Sequence, residues 1–289
     1  MDTNSDDVAH GGDWDLVIKP KDKLLDFNLR EIFHYRDLIG LLAKRDLANV
    51  YKQTLLGPLW FMIQPLMTTL IYMFVFGNIA KLGTDGIPQP LFYFSGTMLW
   101  TFFANNLVKS SETFAANAGL FGKIYFPRFT VPIAYMITNF VTLGVQLLLL
   151  IAFYIYYAAT GVAVTPTWGL LLAPLLVIEL GALGIGIGVI ISSFTTKYRD
   201  LKHLVGFGMQ LWMYATPIIY PASKVPDKWK VLLALNPVSP IVETFRTTLL
   251  GHGTFDGKAI AASMAMTVAI LMVGIIIFNH NERSFIDVV

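Results

Sequence analysis

The sequence contains no cysteine, which excludes disulfide frameworks, thiolate metal sites and cysteine nucleophiles. Charge is also scarce. Asp, Glu, Lys and Arg make up 14% of the 289 residues, against about 25% in ordinary soluble domains. The net charge of +2 is too small to suggest nucleic acid as a partner. No GxxxxGK[ST] string occurs. The nearest approach, GTFDGKA, has the wrong spacing and no hydroxyl after the lysine, so the chain cradles no nucleotide through a P-loop. No HExxH zinc helix occurs, and His10, His34, His203, His252 and His280 are scattered through tail and loops. The opening MDTNSDDVAHGGDWD is acidic and polar where a signal peptide needs a basic start and an apolar core. Residues 1–27 read as a flexible cytoplasmic tail, and the Asp13–Asp15 pair within it reads as solvated rather than as a metal–sugar-nucleotide site. No internal repeat or low-complexity tract stands out.

What is present is apolar. Hydrophobic residues make up 55% of the chain, and the mean hydropathy is +0.60. A spanning helix needs about 20 mostly apolar residues to cross roughly 30 Å of hydrocarbon. Six runs qualify: about Leu59–Ala80, Leu91–Val108, Val131–Tyr157, Trp168–Phe194, Leu204–Tyr220 and Ala259–Phe278. The fifth is shorter and ends in prolines. The expected fold is therefore an all-α integral membrane protein of six transmembrane helices, with residues 58–289 as the transmembrane domain.

Lysine and arginine in short loops orient such a protein. Lys19, Lys21, Lys23, Arg30, Arg36, Lys44, Arg45 and Lys52 precede the first span. Lys109, Lys123 and Arg128 lie between spans two and three, and Lys197, Arg199 and Lys202 between four and five. The first outside loop has only Lys81. Both termini are thus expected in the cytoplasm. The loop between spans five and six is an exception, being basic and long. Its segments WKVLLAL and IVETFRTTLL are short and amphipathic, with Ile241, Val242, Phe245 and Leu249 on one face and Glu243 and Arg246 off it. They are too short to span and read as re-entrant or surface helices, which lipid tolerates where protein or water covers their backbone.

Before the first span, residues 28–57 carry a second amphipathic pattern. Asn28 with Glu31 matches a capping pair. Leu38, Ile39, Leu42, Leu47 and Val50 share one face, and Asp37, Lys44, Arg45 and Lys52 the other. This fits a helix on the cytoplasmic membrane surface or a plain positive-inside anchor.

Little else carries chemistry. Ser95-Gly96 is the one hint of an intramembrane serine nucleophile, and no histidine lies inside a span to act as its base. Glu179 is the one carboxylate deep in an apolar run, which makes it a functional candidate by default. Gating, substrate binding and proton relay are open to it, but the lack of a partner cation in any span favours a hydrogen-bonded acid packed between helices. Gly181–Gly188, GALGIGIG, offers small faces for close helix packing within one subunit or, as the lesser alternative, between two. Aromatics flank the spans, including Trp60, Phe61, Tyr72, Tyr93, Trp100, Phe103, Trp212 and Tyr214. An interfacial belt accounts for most of them; flat faces lining a sugar passage are the sharper alternative.

Four blocks carry a family resemblance: RDLANVYKQTLLGPLWFMIQPL (45–66), LFYFSGTMLWTFFANNLVKSSETFAANAGLFGKIYFPRFTVP (91–132), TTKYRDLKHLVGFGMQLWMYATPIIYP (195–221) and ALNPVSPIVETFRTTLLG (234–251). Together they closely resemble the permease subunit of ABC-type polysaccharide exporters, which move lipid-linked O antigen, capsule or teichoic acid across the inner membrane. The match runs from about Arg36 to the C-terminus. The resemblance implies a homodimer with a channel at the shared interface and a partner dimer of cytoplasmic ABC ATPase subunits that holds ATP and Mg. This chain then needs no cofactor and is a transport subunit rather than an enzyme, with lipid-linked polysaccharide, most directly O antigen, as substrate.

The resemblance also implies roles for residues. Glu112 to about Tyr125 would be a coupling helix docking on the ATPase. KIYFPRF would be the elbow into span three, with Phe121, Lys123, Tyr125, Phe126 and Arg128 as coupling residues. Lys123 and Arg128 are expected to reach lipid headgroups. Arg45, Tyr51, Lys52 and Trp60 would belong to a cytoplasmic gate. Phe61, Tyr72, Tyr93, Trp100, Phe103, Trp212 and Tyr214 are the candidate channel aromatics. Trp229, Asn236, Glu243 and Arg246 would belong to a re-entrant periplasmic gate. Glu179 is outside the family pattern. The competing classes are an ABC permease for another lipid, a membrane-embedded glycosyl- or phosphotransferase, and an ion-coupled transporter. The cytoplasmic loops lack the clustered carboxylates of the second, and the chain lacks the repeats of the third.

Overall fold

A computed structural model describes residues 29–286, apart from 53, 125, 163–164, 196–197, 199 and 252–254. The acidic tail with Asp13 and Asp15, the Asn28 cap, Tyr125, Lys197, Arg199 and the side chains of Glu31, Val50 and Tyr51 lie outside the described residues. Among the described residues every regular element is helical. In chain order these are α1 (Leu29–His34), α2 (Arg36–Tyr51), α3 (Trp60–Tyr72, continued by a π-helical stretch Met73–Ile79), α4 (Gln89–Ser111), α5 (Thr113–Phe121), α6 (Thr130–Ala159), α7 (Ala173–Thr195), α8 (Leu201–Tyr214), α9 (Asp227–Leu235), α10 (Val238–Leu250) and α11 (Gly257–Ile286).

α4 is the axis of the bundle. Ten consecutive residues, Leu91 to Trp100, are buried, the mark of a helix enclosed on all sides. α7, α6, α3, α8 and α10 pack around it. The glycine-rich stretch of α7 explains the closest approach. A Cβ at Gly188 would sit 2.6 Å from the Leu107 carbonyl, and one at Gly184 would sit 2.9 Å from that of Phe103, both on α4. On its other face Gly186 abuts Leu271 of α11. The small residues therefore serve packing within the chain. Asn139 on α6 donates to Asn106 on α4 at 3.0 Å, a polar tie between buried helices.

Among the described residues four helices are long and apolar enough to cross a membrane: Gly57–Ile79, Thr130–Ala159, Trp168–Thr195 and Gly257–His280. α4 is long enough, at about 35 Å for its 23 residues, but its serines, threonines and asparagines dilute its hydropathy. Ser95, Thr97, Asn106, Ser110 and Ser111 are buried against neighbouring helices, while Asn105 is exposed. α8 stops at Tyr214, short of the expected end at Tyr220. Its 14 residues measure about 21 Å. Pro217 forces the stop, since a proline disfavours helical geometry in the residue before it.

Two apolar clusters mark the two ends. The larger follows α4 to the end where α10 lies. The smaller joins α2, α5, α6 and α11 through Ile39, Leu42, Phe114, Phe121, Tyr135 and Phe278. On α2 the buried stripe is Ile39, Leu42 and Ala43, narrower than the face its sequence offers.

Candidate functional site

At the α10 end the organising side chain is Arg246. It is 2% exposed. Its Nη1 donates to the Pro217 carbonyl at 2.6 Å, and its Nη2 donates to the carbonyls of Ile218 at 2.7 Å and Phe92 at 3.0 Å. The guanidinium lies 3.8 Å from the Phe92 ring centroid and 3.6 Å from Glu243. Gly96 leaves the space it occupies: a side chain there would collide with the Arg246 guanidinium. Burial pulls the Arg246 pKa down to about 10, so it stays charged at neutral pH. Burial pushes the Glu243 carboxyl up, while Arg246 and the Ala222 amide pull it back.

Asn236 adds a second fastener. Its Oδ1 accepts from the Trp212 indole at 3.1 Å and from the Val238 amide, and its Nδ2 donates to Thr216 Oγ1 at 2.9 Å. The end of α8 is thereby tied to the α9–α10 junction. Trp212 in turn meets Phe103 and Trp100 edge to face, at 5.2 and 6.4 Å between centroids. Trp229 on α9 is exposed. Deeper in, Ser263 Oγ on α11 lies 2.7 Å from Glu179 Oε1 on α7 and 2.8 Å from the Pro237 carbonyl at the start of α10.

The α5 end is built differently. Asn117 departs from helical geometry, with φ −116° and ψ 16°, and kinks α5. Its Nδ2 donates to the Thr113 carbonyl at 3.0 Å and to the Tyr135 hydroxyl on α6 at 2.9 Å. Phe114 stacks on Phe278 at 4.5 Å. Arg128 is 6% exposed and lies 5.3 Å from the Phe121 centroid and 5.9 Å from that of Phe114. Phe121 and Phe126 are buried in the same cluster. These three residues hold the elbow together from inside; Arg128 does not reach outward to headgroups. Ala115, Ala116, Gly119, Gly122, Lys123 and Ile124 are the exposed ones. Lys202, at the start of α8, pairs with Glu112 at 2.8 Å. Of the expected gate residues, Arg45 pairs with Asp46 at 2.9 Å, and Lys52 and Trp60 are exposed.

The seven candidate channel aromatics divide. Tyr93, Trp100 and Phe103 are buried in the core around α4. Tyr72 packs on Tyr93 and points its hydroxyl at Met213 Sδ, 3.5 Å away. Phe61 and Trp212 are half-buried, and Tyr214 is exposed. Sequence reasoning missed Asn117, Tyr135 and Ser263. A polar residue inside an apolar run was the only available signal, and their partners lie 18 to 84 residues away.

Residues 37–250 match the model of the family described as ABC-2 type transporter. The chain is 27% identical over 262 residues to the O-antigen export system permease protein RfbA of Myxococcus xanthus, covering 90% of this chain and 98% of that protein. It is 27% identical over 263 residues to the protein of the same name from Klebsiella pneumoniae, covering 91% and 97%. The polysialic acid transport protein KpsM of Escherichia coli is 21% identical over 253 residues, covering 86% and 95%.

Proposed function

The chain belongs to the ABC-2 type transporter family, and from that premise we propose that it is the membrane subunit of an ATP-driven exporter of lipid-linked polysaccharide, with O antigen as cargo. The carrying observation is the 27% identity to O-antigen export permeases over nearly the whole length of both chains. A capsule-type polysaccharide is the second reading, supported by the weaker similarity to the polysialic acid transport protein. Two copies of the chain would form the channel in the bacterial inner membrane, with both termini in the cytoplasm. A separate pair of ABC ATPase subunits would bind ATP and Mg. This chain itself is a transport subunit and not an enzyme.

In this reading α4 and α8 are membrane crossings beside the apolar four, six in all. α4 runs from Phe92, beside Arg246, to Ser111, beside α5. α8 runs from Lys202, paired with Glu112, to Trp212, bonded to Asn236. α4 thus reaches between the two ends, whereas α8 itself reaches the middle of α4, where Trp212 meets Trp100 and Phe103, and the turn at Pro217 and Ile218 carries the chain on to Arg246. α9 and α10 then form the re-entrant outer gate of residues 58–289, and α2, within residues 28–57, forms the inner gate helix. In this reading the outward surface of α5 meets the ATPase. Ala115, Ala116 and Gly119 give a smooth floor, and Lys123 and Ile124 stand out from it. A push on α5 would pass to α6 through Asn117 and Tyr135.

Deletion of the gene, followed by chemical analysis of surface and membrane-bound polymer, tests the reading. Loss of surface O antigen with lipid-linked polymer building up inside the cell is expected. Unchanged surface polymer would refute it, and loss of capsule alone would select the second reading.

A further inference from the structure

The contacts of Glu179 fix more than its position. Ser263 Oγ lies within hydrogen-bond reach of two oxygens, Glu179 Oε1 at 2.7 Å and the Pro237 carbonyl at 2.8 Å. A serine hydroxyl has one proton, and a carbonyl oxygen only accepts. If Glu179 were ionised, two acceptors would compete for that single proton. Its other oxygen, Oε2, is buried without a partner among the described residues, and the side chain is 5% exposed. A carboxylate so placed would be a buried charge with neither a counterion nor enough donors. A protonated carboxyl removes the conflict. Glu179 then donates to Ser263, Ser263 donates to Pro237, and each proton has its own acceptor.

The geometry points to Glu179 as a positioning residue, held as a neutral acid, that latches the start of α10 to α7 and α11 through Ser263. Three elements meet in this one chain of bonds: α7 supplies the acid, α11 the hydroxyl, and the residue that opens α10 the terminal carbonyl. α10 is also fastened from the opposite side, where Arg246 grips α4 and the turn after α8. Releasing the Ser263 link leaves the Pro237–Ser239 end held only through Asn236, by its bonds to Trp212, Thr216 and the Val238 amide, while Arg246 still holds the middle. The α9–α10 junction then loosens instead of detaching. The latch is a property of the chain in any membrane. Only its consequence for transport rests on the exporter reading.

The chemistry separates the variants. Glu179→Gln carries an amide N–H that donates to Ser263 at any pH, so it preserves the chain of bonds. Glu179→Ala and Ser263→Ala break it. Because the protein has no native cysteine, Ser239→Cys introduces a sole thiol at a position now 4% exposed. Infrared spectra of the purified protein at neutral pH should contain a protonated-carboxyl stretch that vanishes in Glu179→Gln and shifts in Ser263→Ala. A water-soluble maleimide should label the Ser239→Cys thiol slowly in the wild-type and Glu179→Gln backgrounds, and several-fold faster in Ser263→Ala and Glu179→Ala. If Glu179→Ala does not fold, Ser263→Ala carries the comparison alone. Absence of a Glu179-dependent carboxyl stretch, or labelling equally slow in Ser263→Ala, overturns the latch. Neither measurement depends on cargo, so a failed latch leaves the exporter reading standing, and a failed exporter reading leaves the latch.

Discussion

Arg246 lays its guanidinium 3.8 Å above the ring of Phe92 and donates to the carbonyl of that same residue at 3.0 Å. One side chain on α10 thus reads both the face and the backbone of α4. It fastens a helix too short to span onto the axis of the bundle. Arg246→Ala takes a donor from three carbonyls; that of Phe92 keeps the Ser95 hydroxyl at 3.1 Å, and each of the others left buried and unpaired costs about 1–3 kcal/mol. Arg246→Lys should recover little, because a point charge cannot serve three carbonyls and stack on a ring. Thermal melting in detergent checks this, and a lysine variant as stable as wild type would contradict it.

Gly96→Ala tests the same contact from the other side. The new methyl group collides with the guanidinium, so the variant should yield little monodisperse protein on size exclusion. Gly119→Ala, in open space on α5, should behave as wild type.

Arg246 also shows where sequence reading stops. The period of α10 placed Ile241, Val242 and Phe245 correctly on a buried face. It put Arg246 off that face, yet Arg246 is among the most buried large side chains described. Its partners come from 28, 29 and 154 residues away, and a helical wheel has no access to them. The helical, membrane-type composition and the close-packing glycines of α7 were legible because period and residue size carry them. Tyr93, Trp100 and Phe103 were not placeable, since an aromatic in a core and one in a channel have the same local sequence. Phe121, Phe126 and Arg128 look outward in sequence but turn inward, because Phe114 offers a ring to Phe121 and Arg128, and Phe121 offers one to Phe126.

Tyr135→Phe removes the bond between the kink of α5 and α6 while keeping the ring. The stability cost should be about 1 kcal/mol. In the exporter reading the larger effect is on transmission: ATP hydrolysis continues, and polymer exported per ATP falls several-fold. Reconstituted transport measured beside phosphate release checks this. An unchanged ratio would remove Asn117–Tyr135 from the path.

Glu112 and Lys202 form a partly exposed pair, worth about 0–1 kcal/mol in stability. Glu112→Lys and Lys202→Glu should each weaken the tie between α5 and α8, and the double reversal should restore it. A double-mutant cycle on melting temperature, repeated at high salt, should show the coupling shrink as salt rises.

Glu243 gives the α10 end a pH dependence. Burial holds its folded-state pKa above the ordinary 4.5. The folded state therefore keeps this proton longer than the unfolded state does. The resulting stability is full below pH 4.5 and is lost as pH rises through the folded-state value. Glu243→Gln should remove that slope, so melting temperature against pH for the two proteins should diverge on the alkaline side, with the variant higher. Parallel curves would contradict the assignment.

Co-purification with an ATPase tests the central claim most directly. The tagged chain, extracted in mild detergent, is compared with a variant carrying Lys123→Glu and Ile124→Glu on the exposed side of the α5 elbow. The wild type should bring down a stoichiometric ABC ATPase with measurable ATP turnover. The variant should keep its own melting temperature and lose the partner. If the wild-type chain purifies without any ATPase, or if the variant retains the partner at full yield and turnover, the proposed exporter architecture is contradicted.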